Sequence, residues 1–241
     1  MAKQRLDRWM VEHGSAQTRE KAQALIMAGS VMVNGQKASK PGQAVDNGAS
    51  VEVLAQPKYV GRGGLKLEGA LRHFHVTVAN LVCADFGSST GGFTDCLLQA
   101  GAARVHAIDV GAGQLDWKLR NDARVVVHEG VNARYLEPRD LGEAIDLAVC
   151  DVSFISATLI VPAMASVLKP DGRMIVLVKP QFEAGREQVG KGGIVRDPAA
   201  HRAACEKVRV KVAALGFETA LMESPITGAE GNREFLLYAF R

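Results

Sequence analysis

Three ionisable side chains lie at the ends of predicted strands, where open α/β sheets place their reacting groups. Asp151 and Lys179 each follow an apolar run of strand type, and Glu234 directly precedes one. A lysine in such a position needs charged partners, and the two carboxylates can supply them. Two interpretations stay open for this trio, namely chemistry in a cleft or an ion-pair network that only stabilises the fold.

A glycine-rich stretch, 81–94, is the candidate binding site. It begins as an apolar run of the kind that a buried parallel strand shows, breaks into a turn, and continues with helical periodicity. Strand, glycine turn and helix in this order build a small-molecule site, and glycine lets the backbone pass close under a ligand. The candidate contacts in this stretch are Asp85, Gly87, Ser88, Ser89, Thr90, Gly91, Gly92 and Phe93.

The residue order within this turn narrows the class of ligand. Gly87-x-x-x-Gly91-Gly92 is neither the G-x-G-x-x-G of dinucleotide sites nor a P-loop, because no lysine follows it. An acid before the glycines suits a ligand with a cationic amine better than one with phosphates. The spacing resembles the first motif of S-adenosylmethionine (SAM) methyltransferases. A generic glycine turn without a ligand is the alternative.

A second acid extends the candidate site. Asp109 ends the next apolar run, where a carboxylate can accept both ribose hydroxyls of an adenosine. NAD and SAM share that requirement, so this acid does not discriminate between them. The neighbouring Val110 joins the predicted cofactor site, and Asn132 and Ala133 could hold the adenine through an amide or the backbone.

Composition predicts a soluble globular protein. The chain has 241 residues, of which 47% are hydrophobic and 23% charged, enough for one large domain and a small one. No apolar run could span a membrane, and the charged start is not a signal peptide. Four cysteines without C-x-x-C spacing indicate buried free thiols in a reducing cytosol, hence a cytoplasmic protein. These are Cys83, Cys96, Cys150 and Cys205.

The first sixty residues carry all of the excess positive charge. They hold eight Lys or Arg against five Asp or Glu, whereas the remainder has 21 of each and the whole chain has a formal charge of +3. A basic module on a neutral body is a faint indication of nucleic-acid binding. Charge alone favours an ordinary solvated surface.

Residues 1–56 have the pattern of a small α+β domain with two short helices and a few strands. Thr18 can cap the second helix, and Asn34-Gly35 indicates a hairpin turn. The order of residues resembles the RNA-binding domain named after ribosomal protein S-four, which contacts structured RNA through shape and phosphates. The phosphate contacts that this resemblance implies are Arg5, Arg8, Arg19, Lys21, Lys37 and Lys40, with Arg62 added from the next segment.

After a predicted linker at 57–63, residues 64–241 alternate strands and helices. This alternation predicts an α/β fold with a doubly wound, mostly parallel sheet. The last two strands have no helix between them, which implies an antiparallel pair at one edge. The expected fold is therefore the Rossmann-like SAM-dependent methyltransferase domain, a seven-stranded mixed sheet with helices on both faces, preceded by the small RNA-binding domain.

One further lysine completes a recognisable set. Lys66 near the start of the first helix would, alone, be a solvated charge. Together with Asp151, Lys179 and Glu234, however, it resembles in order and element the Lys-Asp-Lys-Glu tetrad of FtsJ-like RNA ribose 2′-O-methyltransferases. The S-four-type domain in front narrows the resemblance to the TlyA family, across nearly the whole chain. The matching motifs are Asp85-x-Gly-x-Ser-Thr-Gly-Gly-Phe-Thr, Asp109-Val-Gly-x-Gly-Gln-Leu, Asn132-Ala-Arg, Asp151-x-Ser-Phe-Ile-Ser, Val178-Lys-Pro-Gln-Phe-Glu and Gly231-Asn-x-Glu-Phe.

The resemblance implies SAM-dependent methylation of a cytidine ribose in ribosomal RNA, with no metal. Lys179, its pKa lowered by burial and by Lys66, is then the expected base that activates the 2′-hydroxyl. Asp151 would orient it and sit near the sulfonium of SAM, while Lys66 and Glu234 position the ribose. The implied partner is ribosomal RNA or a ribosomal subunit, with no obligate protein partner evident.

Some features depart from the family or leave its details open. Residues 57–66 read Pro-Lys-Tyr-Val-Gly-Arg-Gly-Gly-Leu-Lys where relatives tend to have an Arg-x-Trp-Val-Ser-Arg-Gly-type stretch, with Leu65 at a common His position. This departure leaves the role of the linker in coupling the domains open, but not the tetrad. The chain stops at Arg241, and such short forms are implied to modify large-subunit RNA only. Phe154 and Phe182 could stack on the target base or pack in the core.

Three alternatives from other classes remain. The older family name, haemolysin, suggests a membrane-active protein, against which the absence of an apolar span argues. A non-catalytic RNA-binding protein would not need the whole tetrad. A third is methylation of another RNA or of a base, and the tetrad favours a ribose oxygen over a base nitrogen.

Overall fold

The computed structural model describes residues 3–54 and 57–241, which form two compact units divided between Pro57 and Lys58. Most of the predicted linker, residues 58–63, therefore belongs to the larger unit. The Tyr59 side chain is buried in that unit's core, and the backbone N–H of Val60 donates to Asp95 Oδ2 at 2.9 Å. Because the Tyr59 ring is buried and the Val60 N–H is hydrogen-bonded, this segment packs as part of the larger unit although its glycines indicated a linker.

The smaller unit is an α+β fold with a core of its own. The core includes Leu6, Met10, Ile26 and Val31. Thr18 Oγ1 caps the second helix as predicted, accepting from the backbone N–H of Lys21 at 3.2 Å. The elements are β1 (Lys3–Arg5), α1 (Leu6–Glu12), α2 (Arg19–Met27), β2 (Val31–Val33), β3 (Gln36–Lys37), β4 (Ala44–Asp46) and β5 (Val51–Val53), paired as β1-β4 and β3-β2-β5.

The larger unit contains a seven-stranded mixed sheet in the order β11-β12-β10-β9-β6-β7-β8. Its first half comprises α3 (Gly63–His73), β6 (Val82–Phe86), α4 (Gly92–Gln99), β7 (Arg104–Asp109), α5 (Trp117–Arg120), β8 (Val125–Glu129) and α6 (Pro138–Leu141). Its second half comprises β9 (Ile145–Cys150), α7 (Val161–Val167), β10 (Leu168–Val178), α8 (Pro180–Glu183), α9 (Pro198–Ala213), β11 (Glu218–Glu223) and β12 (Phe235–Phe240).

Strand directions confirm the predicted sheet. Strands β8, β7, β6, β9 and β10 are parallel, and β12 runs antiparallel to both β10 and β11. Chain order reverses between β6 and β9, and such a switch point opens a crevice at the carboxyl ends of the strands. Asp109 ends β7 and Asp151 directly follows β9, so both lie at this edge of the sheet.

Helices cover both faces of the sheet, as predicted. One apolar cluster packs α3, α4 and α5 on one face, through residues such as Leu67, Leu97 and Leu119. A second cluster packs α7 and α9 on the other, through residues such as Met164 and Val208. Pro162 lies in the first turn of α7, where its missing N–H costs no hydrogen bond, so the helix begins there instead of kinking.

All four cysteines lie in the described part of the chain, buried and unpaired. Burial raises the pKa of the Cys150 thiol to about 12, so this thiol is inert. Within residues 3–54 and 57–241, no helix combines the length and hydrophobicity that a membrane span requires.

Candidate active site

Four elements bring the predicted tetrad to one edge of the sheet. Asp151 and Lys179 directly follow the parallel strands β9 and β10. Strand β12 runs the other way, and its first residue, Phe235, pairs with Val178 at the end of β10. Glu234 therefore arrives beside Lys179, although 55 positions separate them in the sequence.

Lys66 and Glu234 form a buried ion pair. Lys66 Nζ donates to Glu234 Oε2 at 2.5 Å, and the two side chains are 9% and 3% exposed. Lys66 lies on α3 among buried residues, so the helix that contributes to the core also fixes the lysine. Arg62, just before α3, donates to the carbonyl of Thr227 at 3.0 Å and makes a second link to the loop before β12.

Lys179 has two polar partners of its own. Its Nζ lies 2.6 Å from Asp151 Oδ1, an ionic contact without hydrogen-bond alignment, and donates to Ser153 Oγ at 2.8 Å. The side chain is 10% exposed, and its Nζ also lies 5.9 Å from the ring centroid of Phe182. Each tetrad lysine is thus paired with its own tetrad carboxylate.

Three adjoining clefts meet at this edge. The Asp109 cleft, of about 490 Å³, lies over the ends of β7 and β9. The narrow cleft, of about 180 Å³, runs along the glycine turn to Lys179, and the Lys66 cleft, of about 410 Å³, contains Lys66, Lys179 and Glu234. Ser153 lines all three clefts, and Lys179 lines the last two. The three clefts therefore adjoin one another between Asp109 and the tetrad.

The Asp109 cleft contains all of the predicted cofactor residues that lie outside the glycine-rich stretch 81–94. Asp109 Oδ1 accepts from the backbone N–H of Gly111 at 2.7 Å, and Oδ2 accepts from that of Ser89 at 2.8 Å. Each oxygen keeps a free lone pair, so the carboxylate can still accept two hydroxyl groups. Val110, Asn132, Ala133 and Asp151 line the same cleft.

The glycine turn forms the wall that the Asp109 cleft and the narrow cleft share. Gly87 has φ +86°, and a Cβ there would lie 2.9 Å from the carbonyl oxygen of Asp151. Only glycine fits this close approach of the β6 turn to the end of β9. The turn residues that line the narrow cleft are Gly87, Ser88, Ser89, Thr90, Gly92 and Phe93.

Two of the predicted cofactor residues line none of these clefts. Asp85 is fully buried, and Thr94 Oγ1 donates to its Oδ2 at 2.7 Å, while Oδ1 has no hydrogen-bond partner. Burial raises the pKa of Asp85 to about 7. Gly91 has φ +98° and packs under Leu119. Both residues shape the turn from within, so the expectation of direct ligand contacts from them does not match their positions.

The two candidate aromatic residues differ in environment. Phe154 is 91% exposed and has φ +65°, a backbone conformation that bulky residues rarely adopt. Its ring centroid lies 5.3 Å from that of the partly buried Phe182, and both rings line the Lys66 cleft. Phe154 is therefore not a core residue, and strain of this kind concentrates at functional sites.

Sequence reasoning gave no role to three polar residues that hold the site together. Ser153 bonds Lys179, and the Glu183 carboxylate accepts from Ser156 and Ala157. Asn232 is buried, and its side chain accepts from the N–H of Val195 and donates to the carbonyl of Gly193. These bonds connect the loop before α9 to the start of β12. All three lie within five residues of a tetrad member. That proximity was the available signal.

The smaller unit places its candidate RNA contacts in two settings. Arg5 and Arg19 both bond the buried carboxylate of Asp7, at 2.9 to 3.0 Å, and their side chains stay nearly half exposed. The Arg5 guanidinium lowers the pKa of that carboxyl. Lys21 donates to Gln17 Oε1 at 2.7 Å. The remaining candidates in this unit are exposed, namely Arg8, Lys37 and Lys40.

The geometry fits the cofactor that the sequence implied. An adenosyl group with a short polar tail requires three features that this site has. They are a closely approaching backbone at Gly87, a carboxylate with free lone pairs at Asp109, and the exposed amide of Asn132. The narrow cleft then leads toward Lys179.

Two family models match the chain, and together they cover most of it. Residues 59–241 match the FtsJ-like methyltransferase family, and residues 4–51 match the S4 domain. Both ranges agree with the two units of the structure.

Relatives are similar over almost the whole chain. The candidate rRNA methyltransferase YqxC of Bacillus subtilis is 52% identical over 98% of this chain and 85% of its own. The 16S/23S rRNA (cytidine-2′-O)-methyltransferase TlyA of Mycobacterium tuberculosis is 44% identical over 97% of this chain and 88% of its own. A candidate hemolysin from Streptococcus thermophilus has a solved structure with a TM-score of 0.76 and 46% identity, covering 100% of this chain and 89% of that one.

Proposed function

Because the chain belongs to the FtsJ-like methyltransferase family and begins with an S4 domain, we propose that it transfers a methyl group from SAM to a cytidine 2′-hydroxyl of ribosomal RNA, in the large subunit. The Mycobacterium relative, whose name includes this chemistry and both 16S and 23S rRNA, supports the choice of nucleotide and of ribosomal RNA as the substrate. Ribosomal RNA as a substrate would place the enzyme in the cytoplasm.

One observation carries the reaction type. Lys179 and Ser153 form the wall between the narrow cleft and the Lys66 cleft. A cofactor that enters from the Asp109 side and a ribose that enters from the Lys66 side would meet at this wall. A ribose oxygen needs a proton acceptor at that point, and a lysine amine can serve as one.

The cofactor contacts follow from the two cofactor-side clefts. Asp109 would accept the ribose hydroxyls, Asn132 and Ala133 would flank the adenine, and the turn at Gly87 would pass under the methionine part. When bound, SAM supplies a methyl group on a cationic sulfonium. Asp151, which lines both clefts, is placed to offset that charge.

Proton transfer is assigned to Lys179. In its neutral form, its Nζ would accept the proton that O2′ loses as the new C–O bond forms and the bond between the methyl carbon and the sulfur breaks, with S-adenosylhomocysteine as the leaving group. Asp151 and Ser153 fix the position of Nζ by contacts of 2.6 and 2.8 Å. Alignment of the reacting atoms supplies most of the remaining acceleration, because the methyl donor is already activated.

Lys66 and Glu234 are assigned to the ribose. Their buried pair lines the same cleft as Lys179, so a ribose hydroxyl or phosphate oxygen there could bond the ammonium, and a hydroxyl could bond the carboxylate. Phe154 and Phe182 offer exposed ring surface in that cleft for the target base. The basic residues of the S4 domain and Arg62 would hold the surrounding RNA through its phosphates.

The test is transfer of a labelled methyl group. Purified protein with tritiated SAM is incubated with large and small ribosomal subunits, and with their free RNA, from cells that lack this gene. We expect label in large-subunit RNA, recovered as an alkali-resistant 2′-O-methylcytidine dinucleotide. Lys179→Ala should lower the rate by at least 100-fold. Lys211→Ala, an exposed lysine on α9, serves as the matched control.

Four results would each contradict a part of the proposal. Label recovered on a base, or on no RNA although SAM binds, would contradict ribose methylation. A Lys179→Ala variant at near wild-type rate would remove the assigned base. Label confined to the small subunit would leave the chemistry intact but refute the choice of RNA.

A further inference from the structure

The most exposed large apolar side chains of residues 58–241 all lie on the same edge of the sheet. They are 68 to 91% exposed and belong to the segments that follow β7, β8 and β9. Those segments form the carboxyl edge, where the clefts open. The four residues are Val110, Trp117, Tyr135 and Phe154.

Two of the four residues are not accounted for by the clefts. Val110 lines the Asp109 cleft, and Phe154 lines both the Asp109 and the Lys66 clefts. Trp117 and Tyr135 line none of the three clefts described above. Tyrosine and tryptophan are enriched at interfaces, because each combines a large apolar ring with a polar group. We call Trp117 and Tyr135 the aromatic rim.

Backbone contacts hold the aromatic rim close to the clefts. The N–H of Asp116, the residue before Trp117, donates to the carbonyl of Thr90 at 3.2 Å, and Thr90 lines the narrow cleft. Tyr135 ends the short helix that starts at Ala133, a residue of the Asp109 cleft. Each ring thus stands next to a cleft on a hydrogen-bonded segment.

A cation lies over the Tyr135 ring, and a lysine follows Trp117 in the sequence. Arg134 Cζ lies 5.4 Å from the ring centroid of Tyr135. Lys118 follows Trp117 in the sequence and is 64% exposed, and its Nζ lies 3.8 Å from Asp95 Oδ2. Aromatic faces with adjacent cations are the usual platform for single-stranded nucleic acid, because bases stack on the rings while phosphates meet the cations.

We propose that Trp117 and Tyr135 stack on unpaired nucleobases next to the target nucleotide, so that the aromatic rim holds single-stranded RNA across the mouth of the clefts. The inference deepens the proposed function and depends on it. The cation over Tyr135 and the exposed lysine after Trp117 suit a partner that carries phosphates along with stackable rings. The neighbouring charges therefore favour RNA as the occupant.

Tryptophan fluorescence offers a direct test because the chain has two tryptophans, and Trp9 is only 7% exposed. The wild type is compared with Trp117→Phe, which keeps a ring but removes the Trp117 signal. Acrylamide quenching is measured in the presence of S-adenosylhomocysteine, with and without a protein-free fragment of the RNA that the enzyme methylates. We expect RNA to protect Trp117 several-fold from the quencher.

Affinity measurements separate stacking from charge. Trp117→Ala and Tyr135→Ala should each weaken RNA binding roughly ten-fold, whereas Trp117→Phe and Tyr135→Phe should lose much less. The salt dependence of RNA binding should stay unchanged in the alanine variants, since no cation is removed. Lys118→Ala should instead lower the slope of log K against log salt by about one. Affinity for S-adenosylhomocysteine should be unchanged in all of these variants.

The inference and the proposed function fail in different ways. The inference alone would be overturned if the wild type methylates RNA normally, the quencher still reaches Trp117 in the presence of RNA, and the alanine variants bind RNA normally. Protection seen with intact subunits but not with protein-free RNA would assign the aromatic rim to a ribosomal protein and also overturn it. Absence of RNA methylation by the wild type would overturn the proposed function.

Discussion

Glu183 and Ser156 are hydrogen-bonded across the two loops that carry the tetrad's central pair. Ser156 Oγ donates to Glu183 Oε2 at 2.5 Å, and the N–H of Ala157 donates to Oε1 at 2.6 Å. Glu183 follows Lys179 by four residues, and Ser156 follows Asp151 by five. The carboxylate also has Lys207 Nζ at 3.1 Å. It therefore fixes the separation of the β9 and β10 loops.

Glu183→Gln should slow methyl transfer more than it destabilises the fold. The amide keeps one acceptor oxygen but cannot serve both Ser156 and Ala157, so the two loops would shift. We expect kcat to fall by about 10- to 100-fold, since misplacement of about 1 Å has effects of that size, with little change in SAM affinity. Single-turnover rates and thermal unfolding check this, with Glu206→Gln on the surface of α9 as the control. A loss of stability without a change in rate would refute the positioning role.

Gly87→Ala should weaken both SAM binding and catalysis. The new Cβ would meet the Asp151 carbonyl oxygen at 2.9 Å, and φ is +86°, so strain of about 1–2 kcal/mol adds to displacement of Asp151. Gly216→Ala is the matched control, since φ is +84° there but nothing lies within 4 Å. Titration calorimetry with SAM compares the two. Equal losses of SAM affinity in both variants would mean that backbone strain alone is responsible.

The free energy of unfolding should depend on Asp85 between pH 4 and pH 7. Burial raises its pKa to about 7 from an unfolded value of 3.8, so the folded state holds an extra proton in this window. The stabilisation that this bound proton gives the folded state is complete below about pH 4. It is lost as the pH rises to about 7, which lowers the free energy of unfolding by up to about 4 kcal/mol. Asp85→Asn removes the titration, so its stability relative to wild type should increase with pH. Parallel curves from urea unfolding would contradict the shifted pKa.

Asp7→Asn should weaken RNA binding even though it makes the protein more positive. Asp7 holds Arg5 and Arg19 in place, and the neutral amide would release them. Net charge alone predicts the opposite, tighter binding. Asp46→Asn is the control, because it removes an exposed acid of the same unit. Filter binding with the RNA substrate distinguishes the two, and tighter binding by Asp7→Asn would exclude the orienting role.

The pair of Lys66 and Glu234 should be strongly non-additive. Lys66→Met leaves a carboxylate buried without its cation, at a cost of about 3–5 kcal/mol of stability. The double variant Lys66→Met, Glu234→Gln should recover much of that stability but not the methylation rate. Unfolding and activity of the four proteins complete the cycle. Recovery of both properties together would mean that the pair serves only the fold.

The alternation of apolar runs and helical patterns by itself determined the sheet and its edge pair, and it placed Asp151, Lys179 and Glu234 at strand ends. Lys66 joined them as a tetrad only through the resemblance to a known family. Parallel strands must end at one edge, so residues that follow them must meet, and this held for Asp151 and Lys179. It held for Asp109 as well, because each of these three residues directly ends or follows a parallel strand. Local rules were sufficient wherever a residue's position follows from its strand.

Only the tertiary structure decided which polar groups face a cleft and which are internal. Asp85 has the sequence context of a ligand contact, but the packing of α4 against β6 encloses it. Tyr59 and its neighbours form part of the larger unit because an apolar ring finds a core there, which glycine content could not reveal. Glu183 and Ser156 are hydrogen-bonded although 27 positions separate them in the sequence, and no local sequence pattern predicts such a contact. Burial and pairing depend on the whole packed chain, whereas periodicity depends on a few residues at a time.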